Sequence, residues 1–393
     1  MLQFLWLVPL LLSMLGFFLS LWIVIPAPTF SLLPLGVGAP EVSPWLITIN
    51  GSALLLTVLN YNYELSALCL IGSLLGLMLS ILPLSQLSKT NSQFAAEMTA
   101  GLGKDYLQRI PQDLHLQMRP QPFILPDVFR GIGHKEVRIE RGIIFASPDR
   151  VDLKLNLYQP LGTGKYPGLM ILYGGAWRSG SPNSYEKFSC YMAAQGYSVI
   201  AIDYRHAPKY KFPAQLEDVE SAWQYIQDHA DTWQVDIQRM AVLGRSAGGH
   251  LATLAAYKKD GIPFRAVVSY YAPTDLIAGY YDPPVPNPIN TRNILHNFLG
   301  GTPEELSQVY KQASPKSYVR ESLPPSLLIY GSRDHVVQAK FGRQLYSQLR
   351  ATGNRAVWLE IPWAEHAFDA IFPGVGNQLA LYYTERFIAS LLY

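Results

Sequence analysis

Hydrophobic residues follow two different rhythms along this chain. Near the amino terminus they form unbroken runs. Phe4 to Ile25 is uncharged for 22 residues, enough for a helix to cross a hydrocarbon core of about 30 Å. Trp6 and Trp22 stand near its ends, where aromatic rings favour a membrane interface. After a proline-rich connector (Pro26, Pro28, Pro34, Pro40, Pro44), apolar sequence resumes at 45–59 and again at 65–84. Asn60-Tyr-Asn-Tyr-Glu64 between them reads as the turn of a helical hairpin. Asn50 and Gly51 weaken the middle run, because a buried amide costs insertion energy. The pattern predicts three transmembrane helices, at about 4–25, 45–59 and 65–84, in a membrane region of residues 1–88. A cleaved signal peptide is the alternative for the first run. No Lys or Arg precedes that run and it exceeds the usual 7–15 residues, which favours a span.

Residues 89–136 form a transition. Phe94, Met98, Leu102 and Tyr106 recur every fourth position with polar residues between them, predicting an amphipathic helix over 92–110. Such a juxtamembrane helix lies on the membrane surface or packs on the following domain; the spacing allows both. Pro120 and Pro122 then predict an extended linker.

From about Val137 short apolar runs alternate with longer amphipathic stretches. Predicted strands are Val137–Ala146, Leu153–Tyr158, Gly168–Tyr173, Ser198–Asp203, Met240–Leu243, Ala266–Tyr271, Leu327–Tyr330 and Val357–Ile361, with helices at Glu217–Ala230 and Ala247–Tyr257 among those between. Runs apolar on both faces suit a mainly parallel, buried sheet. The fold class expected for 137–393 is therefore α/β, a doubly wound, mostly parallel eight-stranded sheet preceded by the membrane helices.

Charge divides the chain at the same place. Residues 1–88 hold only Glu41 and Glu64, while the next 305 hold 58 charged side chains, about 19%, close to an ordinary globular share. A net charge of +2 argues against nucleic acid as a partner. Basic residues begin at Lys89, followed by Lys104 and Arg109, so the positive-inside rule predicts a cytoplasmic domain. Two cysteines, Cys69 and Cys190, give no disulfide framework and fit a reducing compartment.

The chemistry concentrates at strand ends. Gly244-Arg-Ser-Ala-Gly-Gly249 follows a predicted strand and opens a predicted helix, the context of a nucleophile elbow centred on Ser246. Leu172-Tyr-Gly-Gly-Ala-Trp177 follows another strand, and its glycines let backbone N–H groups turn toward a developing oxyanion. The expected donors are Gly175 and Ala176, with Ala247 from the elbow. The acid should come next and the histidine last. Asp334 and His366 occupy those places, each just past a late strand. Asp275 is the rival acid, Asp369 is too near His366 in sequence to orient it easily, and His250 and His206 suit structural roles. No His, Cys or carboxylate spacing predicts a metal, and no phosphate-binding loop predicts a cofactor.

Three stretches together carry a family resemblance: Tyr173-Gly-Gly-Ala-Trp177, Asp203-Tyr-Arg-His-Ala-Pro208 with Phe212-Pro-Ala214 and Asp218, and the Ser246 elbow. From Val137 onward the chain resembles the α/β-hydrolase superfamily, in its esterase/lipase branch, with likeness to hormone-sensitive lipase, feruloyl esterases and kynurenine formamidases. The resemblance implies cofactor-free hydrolysis of carboxylic esters by a Ser-Asp-His triad, with 203–208 as a structural element behind the oxyanion loop. Tyr173 stands where the family usually has a loop-bracing His. Arg245 stands where the lipase branch frequently has Asp or Glu, which favours the feruloyl-esterase-like group. The membrane region has no counterpart in the core family, although a membrane-anchored prenylcysteine methylesterase combines both parts.

A proline-rich, aromatic stretch at about 275–315 is expected to cap the site, with Trp177, Tyr280 and Tyr281 as candidate substrate contacts. The expected function is a membrane-anchored serine hydrolase acting on small-molecule esters, lipids among them. An arylformamidase, amidase or peptidase on the same triad is the first alternative, and a non-catalytic binding protein the second.

Overall fold

The computed structural model describes residues 7–59 and 65–393. The 60–64 turn and the start of the first predicted span, with Phe4 and Trp6, lie outside the described residues.

Four helices lead the chain: α1 (Leu7–Leu21), α2 (Leu33–Glu41), α3 (Ser43–Leu59) and α4 (Ser66–Leu102). The first predicted span stops early. Pro26 disfavours helix at the residue before it, and the backbone tightens into turns at Ile23 and Val24. The proline-rich connector is not extended but largely helical. Pro34 sits in the first turn of α2, where its missing N–H costs nothing, and α2 meets α3 at 81°. The third run does not stop at Pro83 either: α4 continues for 37 residues, about 55 Å at 1.5 Å per residue. Its far half answers the choice left open by residues 92–110, because Phe94, Met98 and Leu102 are buried in the core of the domain that follows. Among the described residues α4 is the one helix long and apolar enough to cross a membrane, and α2 with α3 qualify only if the bent pair is one span.

Helices α1, α3 and α4 pack with polar and small residues inward. Ser13, Ser20, Asn50, Thr57, Ser73 and Ser80 are buried, while Leu11, Met14, Leu55, Leu68, Ile71 and Met78 are exposed. The amide of Asn50 donates to Ser20 Oγ (3.0 Å) and to Leu46 O (2.9 Å), and the Ser20 and Ser80 hydroxyls stand 2.9 Å apart. A Cβ on Gly76 would fall 2.2 Å from Asn50 Oδ1, so only glycine admits the amide at this crossing.

The predicted linker is also corrected. Ile110, Leu114 and Met118 form a small apolar cluster with Ala389. Arg119 is buried beside Asp127 (3.1 Å) and donates to Gln378 Oε1 (2.7 Å). A buried guanidinium requires such partners, and they strap this segment onto the carboxyl-terminal helix Val375–Leu392.

The rest is one eight-stranded sheet: β1 (Arg138–Ala146), β2 (Leu153–Gln159), β3 (Tyr166–Leu172), β4 (Ser198–Ile202), β5 (Val235–Arg245), β6 (Ala266–Tyr270), β7 (Ser326–Gly331) and β8 (Ala356–Ile361). Each falls on a predicted strand, β5 being the most extended. The order is β1-β2-β4-β3-β5-β6-β7-β8. β2 is antiparallel to both of its neighbours, and every other pairing is parallel. Strand order reverses at β3, with β4 on one side and β5 on the other. The loops leaving β3 and β5 therefore open a crevice at their carboxyl ends, the place where open α/β sheets bind ligands.

Candidate active site

Ser246 sits between β5 and the helix Ala247–Tyr257 with φ +52° and ψ −121°. A non-glycine residue rarely holds this conformation, and the elbow holds it by close packing. A Cβ on Gly248 would lie 2.3 Å from the carbonyl oxygens of Leu172 and Tyr173. The elbow is thus pressed against the end of β3, beside the Gly174–Trp177 loop.

Ser246 Oγ lies 2.9 Å from His366 Nε2, and His366 Nδ1 lies 2.7 Å from Asp334 Oδ2. Asp334 follows β7 and His366 follows β8, so neighbouring parallel strands deliver them side by side. Burial pushes the Asp334 carboxyl upward, and His366 with the N–H groups of Val336 and Val337 opposes that by favouring the anion.

Two buried acids that the sequence reading did not assign organise these loops. Glu365 Oε1 accepts from the N–H of His335 (2.6 Å) and of His366 (2.9 Å), and its Oε2 meets His335 Nδ1 (2.6 Å). One carboxylate therefore clamps the loop after β7 to the loop after β8. Asp369 pairs with Arg245 Nε and accepts from the Tyr271 hydroxyl. Arg245 precedes Ser246 and is enclosed by the rings of Tyr185, Phe188 and Tyr270 at 4.1–5.4 Å. The only signal in the sequence was an unusual Arg before the serine; its partner, 124 positions away, becomes visible only in the fold.

The Gly174–Trp177 loop carries positive φ at Gly175 (+133°), Ala176 (+53°) and Trp177 (+56°). Tyr173, where the family usually has His, is buried, donates to Asp203 Oδ1 and stands 2.9 Å from His206 Nε2. Its single proton goes to the carboxylate, so His206 donates to the phenol oxygen. Below the loop, Trp177 Nε1 donates to His250 Nδ1 (3.2 Å), and His250 Nε2 donates to Ala313 O (2.6 Å). Desolvation lowers the His250 pKa to about 4, keeping the ring neutral and able to accept from Trp177.

Gly175, Ala176, Trp177, Ser246, Ala247 and His366 all border one cavity of about 700 Å³. Trp177 is stacked on Phe298 at 4.1 Å. Tyr280 and Tyr281, expected as substrate contacts, do not border this cavity. From their segment Leu276, Gly279, Ile294 and Leu295 face the cavity instead. Tyr281 donates outward to Glu304 (2.5 Å), and Tyr280 stands against Tyr310 at 6.0 Å, because the short helix Leu276–Tyr281 turns its other face inward. The rival acid Asp275 caps that helix at Ala278 N and pairs with Lys316 (2.9 Å). Sequence reasoning also missed Phe30 and Leu33, which border the same cavity from the amino-terminal region.

A sheet of this order with an elbow at the end of its fifth strand defines an α/β-hydrolase. The family described as BD-FAE matches residues 155–349. Esterase LipC of Mycobacterium tuberculosis is 30% identical over 66% of this chain and 67% of its own length. The probable carboxylic ester hydrolase LipM of the same organism is 27% identical over 79% of this chain and 76% of its own. Among solved structures, a bacterial heroin esterase shares the fold, with a TM-score of 0.57 over 65% of this chain and 84% of that one at 24% identity. The chain belongs to the α/β-hydrolase esterase family and is a carboxylic ester hydrolase.

Proposed function

We propose that this protein is a membrane-anchored serine esterase in which Ser246, His366 and Asp334 act as the triad on a lipophilic ester. The observation that carries the reading is the unbroken hydrogen-bonded line from Ser246 Oγ through His366 to Asp334 at the wall of the cavity. Ser246 Oγ attacks the ester carbonyl carbon and its proton passes to His366 Nε2. The negative charge on the carbonyl oxygen is met by the N–H groups of Gly175, Ala176 and Ala247. The carbon–oxygen bond to the alcohol breaks, and His366 returns the proton to the leaving oxygen. Water then adds to the acyl-enzyme with His366 as base, releasing the acid and restoring Ser246. Asp334 holds the imidazole tautomer and balances the imidazolium.

Membrane anchoring is supported by the inverted packing of α1, α3 and α4, since lipid rather than water rewards an apolar outer face. The absence of Lys and Arg before Lys89 supports a cytoplasmic hydrolase domain.

The full chain in detergent micelles should hydrolyse p-nitrophenyl acetate and take up a fluorophosphonate. Ser246→Ala should abolish labelling and lower kcat by on the order of 10⁴–10⁶-fold, because triad members act as a unit. Retained labelling in that variant would refute the assignment.

A further inference from the structure

The amino-terminal region does more than hold the enzyme at a surface: it supplies part of the cavity wall. Leu33 packs with Ala27 and with Val336, two residues beyond Asp334, and Ile289 of the capping segment packs against the same cluster. Phe30 borders the cavity yet is 65% exposed, which places it on the rim. The segment is pinned at both ends. Arg333, beside the acid, donates to Val24 O. At the far end Glu41 Oε2 accepts from Gly376 N (2.8 Å) and Asn377 N (3.1 Å), the first turn of the carboxyl-terminal helix. Residues 24–41 are therefore a fixed wall.

The position of this wall in the molecule sets what reaches it. It joins the end of α1 to the start of α3, and the two helices meet α4 at the Ser20–Asn50–Ser80 contact. Beyond that level α4 enters the hydrolase core at Phe94. Phe30 and Leu33 thus lie at the boundary between the lipid-facing bundle and the hydrolase. The rest of the rim differs: Arg178 and Lys187 are exposed there, while the cavity's carboxylates Glu186, Asp275, Asp282 and Asp369 are paired with Arg141, Lys316, Lys340 and Arg245.

Resting on the triad reading above, we infer that Phe30 and Leu33 form a subsite for the long apolar chain of an ester drawn from the bilayer, with the ester group at Ser246. An apolar chain leaving lipid for an apolar wall crosses no water, so a mouth at this depth favours long-chain over short-chain substrates.

The test uses the full chain in phosphatidylcholine nanodiscs, with p-nitrophenyl dodecanoate and p-nitrophenyl acetate as probes. The readout is the ratio of their kcat/KM values. Leu33→Trp, which fills the wall, and Phe30→Ala, which shortens the rim, should each lower that ratio at least tenfold. Leu11→Ala, on the outer face of α1, should leave it at the parent value. A ratio within twofold of the parent in both wall variants would overturn the subsite. A parent that turns over neither ester and takes no fluorophosphonate at Ser246 would instead overturn the triad reading, and the subsite with it. Folding of the variants is bypassed by a dodecyl fluorophosphonate bearing a terminal diazirine on the parent protein. After reaction and illumination the chain end should be found on residues 27–37; attachment confined to residues 276–299 would overturn the subsite.

Discussion

The bundle of α1, α3 and α4 and the sheet of the hydrolase are packed in opposite senses. In the sheet, β3 to β8 bury continuous apolar runs such as Leu169–Leu172 and Met240–Leu243. In the bundle the inward positions are mostly small or polar, such as Ser13, Gly16, Ser20, Asn50, Ala53, Thr57, Ser73, Gly76 and Ser80, with Leu46 and Cys69 beside them, and most leucines face out. On the proposed membrane anchoring, the two regions differ in the solvent around them. Water drives apolar groups inward, whereas lipid leaves only close approach and hydrogen bonding to hold helices together. The cavity beside Ser246 is bordered by the hydrolase fold and by Phe30 and Leu33 of the segment that joins α1 to α3.

Four substitutions probe the difference, the strongest expected effect first. Asp369→Ala removes the partner of a fully buried Arg245 and should destabilise the hydrolase by about 3–5 kcal/mol, read as a shift in the chemical denaturation midpoint of its tryptophan fluorescence. A shift worth under about 1 kcal/mol would mean that the aromatic rings around Arg245 suffice without the acid. Next, Leu169→Ala in β3 should cost about 2–5 kcal/mol, whereas Leu68→Ala on the outer face of α4 should stay within about 0.5 kcal/mol in micelles. Equal costs would break the comparison outright.

A further small effect is a pH dependence confined to the hydrolase side. Glu365, hydrogen-bonded to His335, raises the His335 pKa above its ordinary value against some desolvation, with Asp334 adding to the rise and Arg333 opposing it. A folded pKa above the unfolded one means stability fully present below about pH 6.5 and lost as pH climbs through the folded value. The gain of the parent over His335→Gln should therefore be largest near pH 6, about 1 kcal/mol or less, and should shrink toward pH 9. A gap that widens with pH would show the opposite sign.

The parts of the molecule legible in the sequence are those fixed by local rules. The central strands β3, β4, β6, β7 and β8 and the end of β5 are continuous apolar runs, and the serine elbow announces itself by steric need within six residues. Helix ends in the front region were misread because prolines are neutral in a first helical turn, so Pro34 and Pro44 permitted helix where a connector was expected. Arg119 looked like part of a linker because its partners, Asp127 and Gln378, depend on how the carboxyl-terminal helix docks. The same holds for Glu365, Asp369, Phe30 and Leu33. Their roles arise from contacts between distant segments and have no pattern of their own. Tyr280 and Tyr281 show the converse: composition marks the segment as aromatic, but helix phase decides which of its faces borders the cavity.

The central claim is that one chain is packed for two solvents with its catalytic cavity at their border. Spin labels placed singly at Leu11, Met78, Phe30 and Lys258, with Cys69 and Cys190 changed to Ser, would measure this in nanodiscs through collision with oxygen and with a water-soluble nickel chelate. The account predicts oxygen-dominated collision at Leu11 and Met78, nickel-dominated collision at Lys258, and an intermediate ratio at Phe30. Nickel access at Leu11 and Met78 equal to that at Lys258 would contradict it.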